Sequence, residues 1–211
     1  ILTHIRHSEK VFNMKRLLLI LILTLSFQAA VKADDIRDFE IEGMSVGDSA
    51  LDFFSKEAIE DIKTYYPNSK KFFRASLNYE SDSYERIQLH IKSNDSDYII
   101  QAISGLIFYK DRLVSEKKCF KKHNEISKSL SSSFSNLKTS KAKKTVLEQD
   151  KTGNSFHYTI YYDFNEEKTE YIKLGCVIYG SEYFDKEKSF DHLRLGFQNK
   201  NFTHWMQNEA F

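Results

Sequence analysis

The chain has 211 residues and a formal net charge of +1, and its charged residues (29%) are interspersed with aromatic residues (14%). This mixture excludes an intrinsically disordered chain, because enough apolar surface is present to build a core. Without its first 33 residues the chain carries a net charge of −3. That charge argues against nucleic-acid binding, which needs a basic footprint that displaces counterions from phosphates.

The N-terminus predicts a cleavable export signal. Lys15 and Arg16 supply a positive region, an apolar run extends from Leu17 to Phe27, and small residues lie around Ala33. This is the order of parts in a secretory signal peptide. The apolar run is shorter than the roughly 20 residues that a membrane-spanning helix needs, so we expect cleavage after Ala33 instead of a membrane anchor.

These assignments divide the chain into three parts. Residues 1–13 precede Met14 and show no pattern, so we interpret them as translated upstream sequence. Residues 14–33 are the predicted signal peptide, and residues 34–211 are predicted to form one domain. We expect that domain in the periplasm or outside the cell, without stable insertion in a membrane after the signal is removed.

Short elements open the predicted domain. Residues 38–44 alternate apolar and acidic side chains and predict a strand, and residues 43–47 predict a turn. A helical turn over residues 49–54 follows. A helix that begins at Ser55 is then expected to run to about Lys63.

Three strands come next. Residues 73–79 and 87–91 carry apolar side chains at every second position, and residues 98–109 are apolar on both faces, which is typical of a central strand. The turns between them are short enough only for antiparallel hairpins. This part of the chain is therefore predicted to be a meander.

The period then changes to that of a helix over residues 115–137, whose apolar stripe contains Cys119, His123, Ile126 and Leu130. Four strands are predicted after it, around Val146 and over residues 156–164, 170–179 and 192–197. A short helix is predicted around residues 202–206. The element order contains no alternating βαβ run. We therefore predict an α+β fold of antiparallel meanders with helices packed on one face. Helix plus meander occurs twice, which suggests two pseudo-repeated halves.

The two cysteines predict a disulfide. Cys119 lies on the apolar helical stripe, and Cys176 shares a strand face with apolar residues, so packing that helix on that face brings the sulfurs together. Export favours the bond, which closes a loop of 57 residues and contributes on the order of 3 to 4 kcal/mol in the loop-entropy model. Two buried free thiols are the alternative.

Two serine motifs overlap in the segment Gly43-Met44-Ser45-Val46-Gly47-Asp48-Ser49. Ser45 lies too early in the domain for a nucleophile elbow, which needs an upstream oxyanion-hole loop. The Gly-Asp-Ser triplet around Ser49 resembles the nucleophile block of GDSL-type esterases, but no histidine follows an aspartate at the spacing of that family. The other interpretation is that the glycines shape a turn and that Asp48 or Ser49 caps a helix.

The histidines of the predicted domain are scattered and predict neither a metal site nor a catalytic set, and no cofactor is expected. His90 and His157 fall on polar strand faces and are interpreted as solvated, whereas His123 is interpreted as packed. Asp191 and His192 are neighbours, but adjacent strand residues point to opposite faces.

A candidate basic binding face lies on the long helix. Lys117, Lys118, Lys121 and Lys122 fall mostly away from the apolar stripe, in a region with nine lysines between residues 117 and 144. Such a surface could contact lipid headgroups, a cell-wall polymer or an acidic partner. A solvated helix face with a flexible basic loop is the other interpretation.

Three blocks carry a resemblance. Residues 34–49, Gly105-Leu106-Ile107-Phe108-Tyr109-Lys110 and Asp191-His192-Leu193-Arg194 resemble a group of small exported proteins of marine bacteria, which brings no activity with it. More loosely, a strand with Gly-Met-Ser followed by a helix and a meander is similar to the opening of BamE/SmpA-like envelope proteins and of BLIP-like inhibitor modules. No cysteine near the predicted cleavage point could carry the lipid of the former group.

These observations favour a non-enzymatic exported protein that binds an envelope protein or a small ligand through its sheet or its basic helix. The alternative is a GDSL-like serine esterase that uses Ser49. A purely structural envelope protein, which would self-associate, is the third class.

Overall fold

The computed structural model describes residues 35–79, 81, 83–184 and 190–211. The predicted upstream segment and signal peptide lie outside the described residues. The described α-helices are α1 (Lys56–Asp61), α2 (Arg112–Ser133) and α3 (Lys200–Asn208). The described strands are β1 (Glu40–Ile41), β2 (Met44–Ser45), β3 (Lys63–Tyr65), β4 (Phe72–Asn78), β5 (Arg86–Lys92), β6 (Ile100–Tyr109), β7 (Lys138–Thr139), β8 (Lys143–Val146), β9 (Phe156–Asp163), β10 (Tyr171–Ile178) and β11 (Asp191–Gln198).

One antiparallel sheet dominates the fold. Its strand order is β3-β4-β5-β6-β11-β10-β9, and β7 and β8 both pair with the far side of β9. β1 and β2 form a separate hairpin. The predicted α+β class, both meanders and the central position of β6 are confirmed.

The two meanders meet where β6 pairs with β11. Helix plus meander therefore occurs on both sides of that seam, but a duplicated module is not confirmed, since α1 has six residues and α2 has 22. The seam joins both halves into one continuous sheet.

The side of the sheet that carries Cys176 and Leu193, here the first face, holds the main core. It is covered by α1, the β1-β2 hairpin and α2. The predicted stripe of α2 is confirmed, because Cys119, His123 and Leu130 are buried against this face. A hydrogen bond from Ser115 to the carboxylate of Asp191 fixes the first turns of α2 to β11.

The opposite side, which carries Arg194 and Gly196 and is here the second face, is covered in part by α3. Phe202 and Trp205 of α3 pack with Phe72 and Ala102 in a second, smaller core. The prediction that helices pack on one face therefore holds for α1 and α2 but not for α3. Two-residue alternation along β4 and β6 explains this second core, because it places Phe72 and Ala102 on the second face and their neighbours Phe73 and Ile103 on the first. None of the helices in the described ranges is apolar for long enough to cross a bilayer.

Two early predictions are wrong in detail. The turn lies at Glu42–Gly43, where both residues have positive φ (55° and 77°), as a tight two-residue hairpin requires; Met44–Ser45 then form the returning strand. The helix capped by Ser55 ends at Asp61, and residues 63–65 pair with β4 as an edge strand. Pairing with a neighbouring strand outweighs local helix preference there.

The predicted disulfide is present. Cys119 of α2 and Cys176 of β10 are bonded, with 6.0 Å between their Cα atoms, and both are fully buried. The bond ties the long helix directly to the middle of the first face.

We expect reduction of the Cys119–Cys176 bond to lower the free energy of unfolding by on the order of 3 to 4 kcal/mol, because the unfolded chain regains a 57-residue loop. Urea unfolding with and without a thiol reductant measures this loss. The double variant Cys119→Ala/Cys176→Ala is the control and should not respond to reductant. Equal stability of the oxidised and reduced wild-type protein would contradict the prediction.

Candidate functional site

Strand register places small side chains in the middle of the second face. Ser104 of β6 pairs with Gln88 on one side and with Gly196 on the other, and Gly196 pairs with Lys173. These four residues therefore form one row across four strands. Gly196 has no side chain, which leaves a depression at the centre of this row. A Cβ atom at Gly196 would lie 2.4 Å from Ser104 Oγ.

The low row and α3 together enclose a cavity of about 270 Å³. Helix α3 begins directly after β11 and crosses the adjacent part of the second face, so its side chains form one wall. The lining residues are Tyr66, Arg74, Gln88, His90, Ala102, Ser104, Tyr171, Lys173, Arg194, Gly196, Phe197, Gln198, Phe202, Met206 and Phe211.

Three cations, Arg74, Lys173 and Arg194, line this cavity and are called the cation cluster below. Arg194 Nε donates a hydrogen bond to Ser104 Oγ at 3.1 Å, which extends the guanidinium along the floor. Arg194 and Lys173 are half-buried, and Arg74 is exposed at the rim. Across residues 35–184 and 190–211, as far as they are described, no carboxylate forms an ion pair with any of the three.

Burial makes the positive charges in the cation cluster costly. Desolvation, and next the charge of Arg194, lowers the pKa of Lys173 from 10.5 to about 8. Desolvation also lowers the pKa of Arg194, and Arg74 adds repulsion. Lys173 Nζ lies 5.9 Å from the centre of the Tyr161 ring, a weaker contact than an ion pair. The half-buried charges of Arg194 and Lys173 therefore cost stability unless a negative charge lies beside them.

One wall of the cavity is aromatic and consists of Tyr66, His90 and Phe202, and Arg74 borders it as the cross-strand partner of His90. The Tyr66 hydroxyl and His90 Nδ1 share a hydrogen bond of 2.6 Å, and the rings of His90 and Phe202 lie 4.7 Å apart. Trp205 packs edge-on against Tyr66 at 4.8 Å and holds this aromatic wall from behind. The wall is therefore fixed by its own packing.

His90 corrects the sequence interpretation of a solvated histidine, because only 5% of it is exposed. Burial, followed by repulsion from Arg194 and Arg74, lowers its pKa well below 6.5. His90 is therefore neutral at pH 7 and adds a polar ring to the cavity without adding charge.

Gln88 contributes a buried polar atom to the floor. Its Oε1 is buried and has no hydrogen-bond partner among the residues that the structure describes. Buried polar atoms nearly always have a partner. Together with the cation cluster, this orphaned atom indicates a surface shaped for a polar ligand.

The other histidines divide between the two faces. His123 of α2 is buried, as predicted, but neither ring nitrogen has a hydrogen-bond partner among the described residues, so the hydrogen-bonded histidine that the sequence indicated is not seen. His157 and His192 lie half-buried on the second face, where desolvation is the main cause that lowers each pKa to about 4. Asp191 and His192 point to opposite faces, as predicted, and Asp191 contacts Ser115 beneath α2. No group of metal-binding side chains occurs in the described part of the chain.

The lysines predicted as a basic binding face are exposed on α2. Lys118, Lys121 and Lys122 line an open groove of about 570 Å³ between α2 and β6, together with Glu125; Lys117 lies beside it and is also exposed. The lysines are solvated and lie apart from the cavity on the second face. Their role in binding stays a prediction.

The serines of the early motif have structural contacts. Ser45 Oγ donates a hydrogen bond to the carbonyl oxygen of Phe39 at 2.8 Å. Ser49 Oγ donates to the carbonyl oxygen of Asp97 at 2.6 Å and accepts from the N–H of Leu51, which caps a 3₁₀ turn. These contacts are those that the capping interpretation predicts, and the antiparallel sheet is not the parallel sheet of the esterase family.

Sequence reasoning missed the cation cluster. Lys173 and Arg194 were part of alternating strand patterns, and their side was treated as solvated. The usable signal was the composition of β11, in which His192, Arg194, Gly196 and Gln198 share one face of a central strand. A polar and glycine-containing face in the middle of a sheet, next to an amphipathic helix, indicates a covered polar surface.

Comparison with known proteins does not supply a function. A scan against protein-family models, a search of the curated proteins and a search of the solved structures gave no match. The resemblance to small exported proteins stays a prediction, and function has to be inferred from the cavity.

We expect the free energy of unfolding to fall as the pH is lowered from 6.5 towards 4. Burial lowers the pKa of His90, His123, His157 and His192 in the folded protein, and the unfolded chain takes up these protons near 6.5. Their contribution to stability is therefore fully present above 6.5 and declines below it, by at most about 1.4 kcal/mol per pH unit for each proton. Urea titrations at several pH values measure the slope.

His90→Asn should make this slope shallower, because the amide oxygen can still bond to Tyr66 but does not titrate. His204→Asn is the matched control, since His204 is exposed, and it should leave the slope close to that of the wild type. A His90→Asn slope as steep as the wild-type slope would show that His90 is protonated in the folded state.

Proposed function

We propose that this protein binds a small anion in the cavity between α3 and the second face, and that it acts as a non-enzymatic binding protein. The observation that carries the proposal is the cation cluster, three positive side chains that converge on one cavity without an ion-paired carboxylate in the described ranges. An anionic ligand would supply the missing negative charge.

A purely structural role fits the cluster poorly. Structural cations in protein interiors are paired, because an isolated buried charge costs free energy. Arg194 has one side-chain hydrogen bond, to Ser104, and the positive charges of Arg74 and Lys173 repel its guanidinium. Groups that destabilise a fold are typically retained where binding uses them.

Export to the periplasm or out of the cell completes the proposal. The Cys119–Cys176 disulfide supports it, because such bonds persist mainly in oxidising compartments. The sequence pattern of a signal peptide before residue 34 points the same way. The sequence favoured a non-enzymatic exported binding protein of unknown ligand, and the anionic class is inferred from the cavity.

We expect Arg194→Gln to weaken anion binding at least tenfold, since it removes the half-buried guanidinium and keeps a hydrogen-bond donor near Ser104. The probes are sodium acetate, benzoate and phosphate, titrated at constant ionic strength with chloride as the replaced ion. Trp205, the single tryptophan of the chain, lies against the aromatic wall and reports binding through its fluorescence.

Lys117→Gln is the matched control, because it removes one positive charge from the exposed surface of α2. We expect it to bind the probes as the wild type does. Loss of binding in Lys117→Gln but not in Arg194→Gln would place the anion on α2 and overturn the proposal. Failure of all three probes to bind the wild-type protein would overturn it as well.

We expect Lys173→Met to raise the free energy of unfolding at pH 7, on the order of 1 kcal/mol, while it weakens anion binding. The amine is protonated in both states at pH 7, since its folded pKa is about 8, so the folded protein loses a desolvated charge. Lys117→Met, on the exposed helix surface, should change stability by less than about 0.5 kcal/mol. A clear loss of stability in Lys173→Met would indicate a structural role for the amine.

A further inference from the structure

The cavity on the second face has two chemically different ends. Arg194 and Lys173 make one end cationic, and the guanidinium lies along the floor at Ser104. Tyr66, His90 and Phe202 make the other end aromatic, and Arg74, the cross-strand partner of His90, borders that end. A ligand that fills both ends must carry a charge at one end and an apolar body at the other.

The aromatic wall is rigid. Phe202 packs against Phe72 at 5.5 Å and against Trp205 at 5.6 Å, and the Tyr66 hydroxyl holds the His90 ring. Aromatic side chains held in this way favour an aromatic ligand, because ring contacts add to simple area burial. Met206 lies beside this wall and can adapt to a ring edge.

The size of the cavity limits the ligand to a small molecule. Its volume of about 270 Å³ corresponds to roughly nine water molecules in the liquid. One six-membered ring with a short charged group fits within such a space. The cavity opens beside Phe211, which lies at the rim and is 74% exposed.

The half-buried charge at the floor selects a planar anion. A guanidinium presents parallel N–H donors that match the two oxygens of a carboxylate. Ser104 flanks that position with its hydroxyl, and Gln88 on the same row can donate to a carboxylate only through its amide N–H, because its Oε1 is an acceptor. His90 stays neutral, so the positive charge that faces the ligand comes from the cation cluster alone.

We propose, on the basis of the anion-binding function above, that the ligand is a small aromatic carboxylate, with its carboxylate on Arg194 and its ring between the aromatic wall and Met206. The binding mode orients the ring towards α3 and the charge towards the strands. Small acids without a ring lack the contacts at the apolar end, and neutral aromatic compounds lack the charge contact.

The test compares benzoate with acetate, phosphate, cyclohexanecarboxylate and benzyl alcohol, by Trp205 fluorescence at constant ionic strength. We expect benzoate to bind at least tenfold more tightly than acetate or phosphate, and severalfold more tightly than cyclohexanecarboxylate, and we expect benzyl alcohol not to bind. Calorimetric titration of the same compounds checks that fluorescence changes reflect binding.

Two variants test which part of the ligand contacts each end of the cavity. Met206→Ala should weaken benzoate binding severalfold and leave acetate binding unchanged, whereas Arg194→Gln should weaken both. Leu113→Ala is the matched control for the loss of an apolar side chain, because Leu113 is 95% exposed on α2. It should bind benzoate as the wild type does, and thermal unfolding confirms that each variant is folded.

The outcomes separate this inference from the function on which it rests. If acetate or phosphate binds as tightly as benzoate, the aromatic class is wrong and the anion site stands. If cyclohexanecarboxylate equals benzoate, the apolar end does not select an aromatic ring, and the inference is overturned. If none of the anions binds, the inference and the proposed function fail together.

Discussion

The pairing of β6 with β11 determines both faces of this protein. Ile107 and Leu193 meet on the first face, and Ser104 and Gly196 meet on the second. A slip of one residue in this register would turn Arg194 into the apolar core and Leu193 to the opposite side. The main core, the disulfide position and the cation cluster therefore all depend on a single strand seam.

The two faces have opposite energetic roles. On the first face, α2 buries an apolar stripe and is cross-linked to the sheet through Cys119 and Cys176. On the second face, Arg194 and Lys173 hold desolvated positive charge. The cross-linked core offsets the cost of the cation cluster, as is usual where a protein keeps a destabilising site for binding.

The sequence predicted the elements with strong periodicity and missed those that depend on neighbours. Strands β4, β5, β9 and β10 alternate cleanly, and the stripe of α2 predicted the Cys119–Cys176 contact correctly. β3 has three residues and exists because β4 offers an open edge. Alternation shows which side chains leave the core, but it does not show whether another element covers them. His90 was therefore interpreted as solvated although α3 buries it.

The position of α3 links the stability of the fold to the state of its cavity. Phe202 belongs to both the smaller core and the aromatic wall, so α3 is held by the same ring that a ligand would contact. A ligand that binds only the folded protein stabilises it by an amount that grows with its concentration, about 2.7 kcal/mol at one hundred times the dissociation constant. Under the proposed function, an anion that neutralises the cation cluster would also stabilise the packing of α3, because Phe202 belongs to both the cavity and the smaller core.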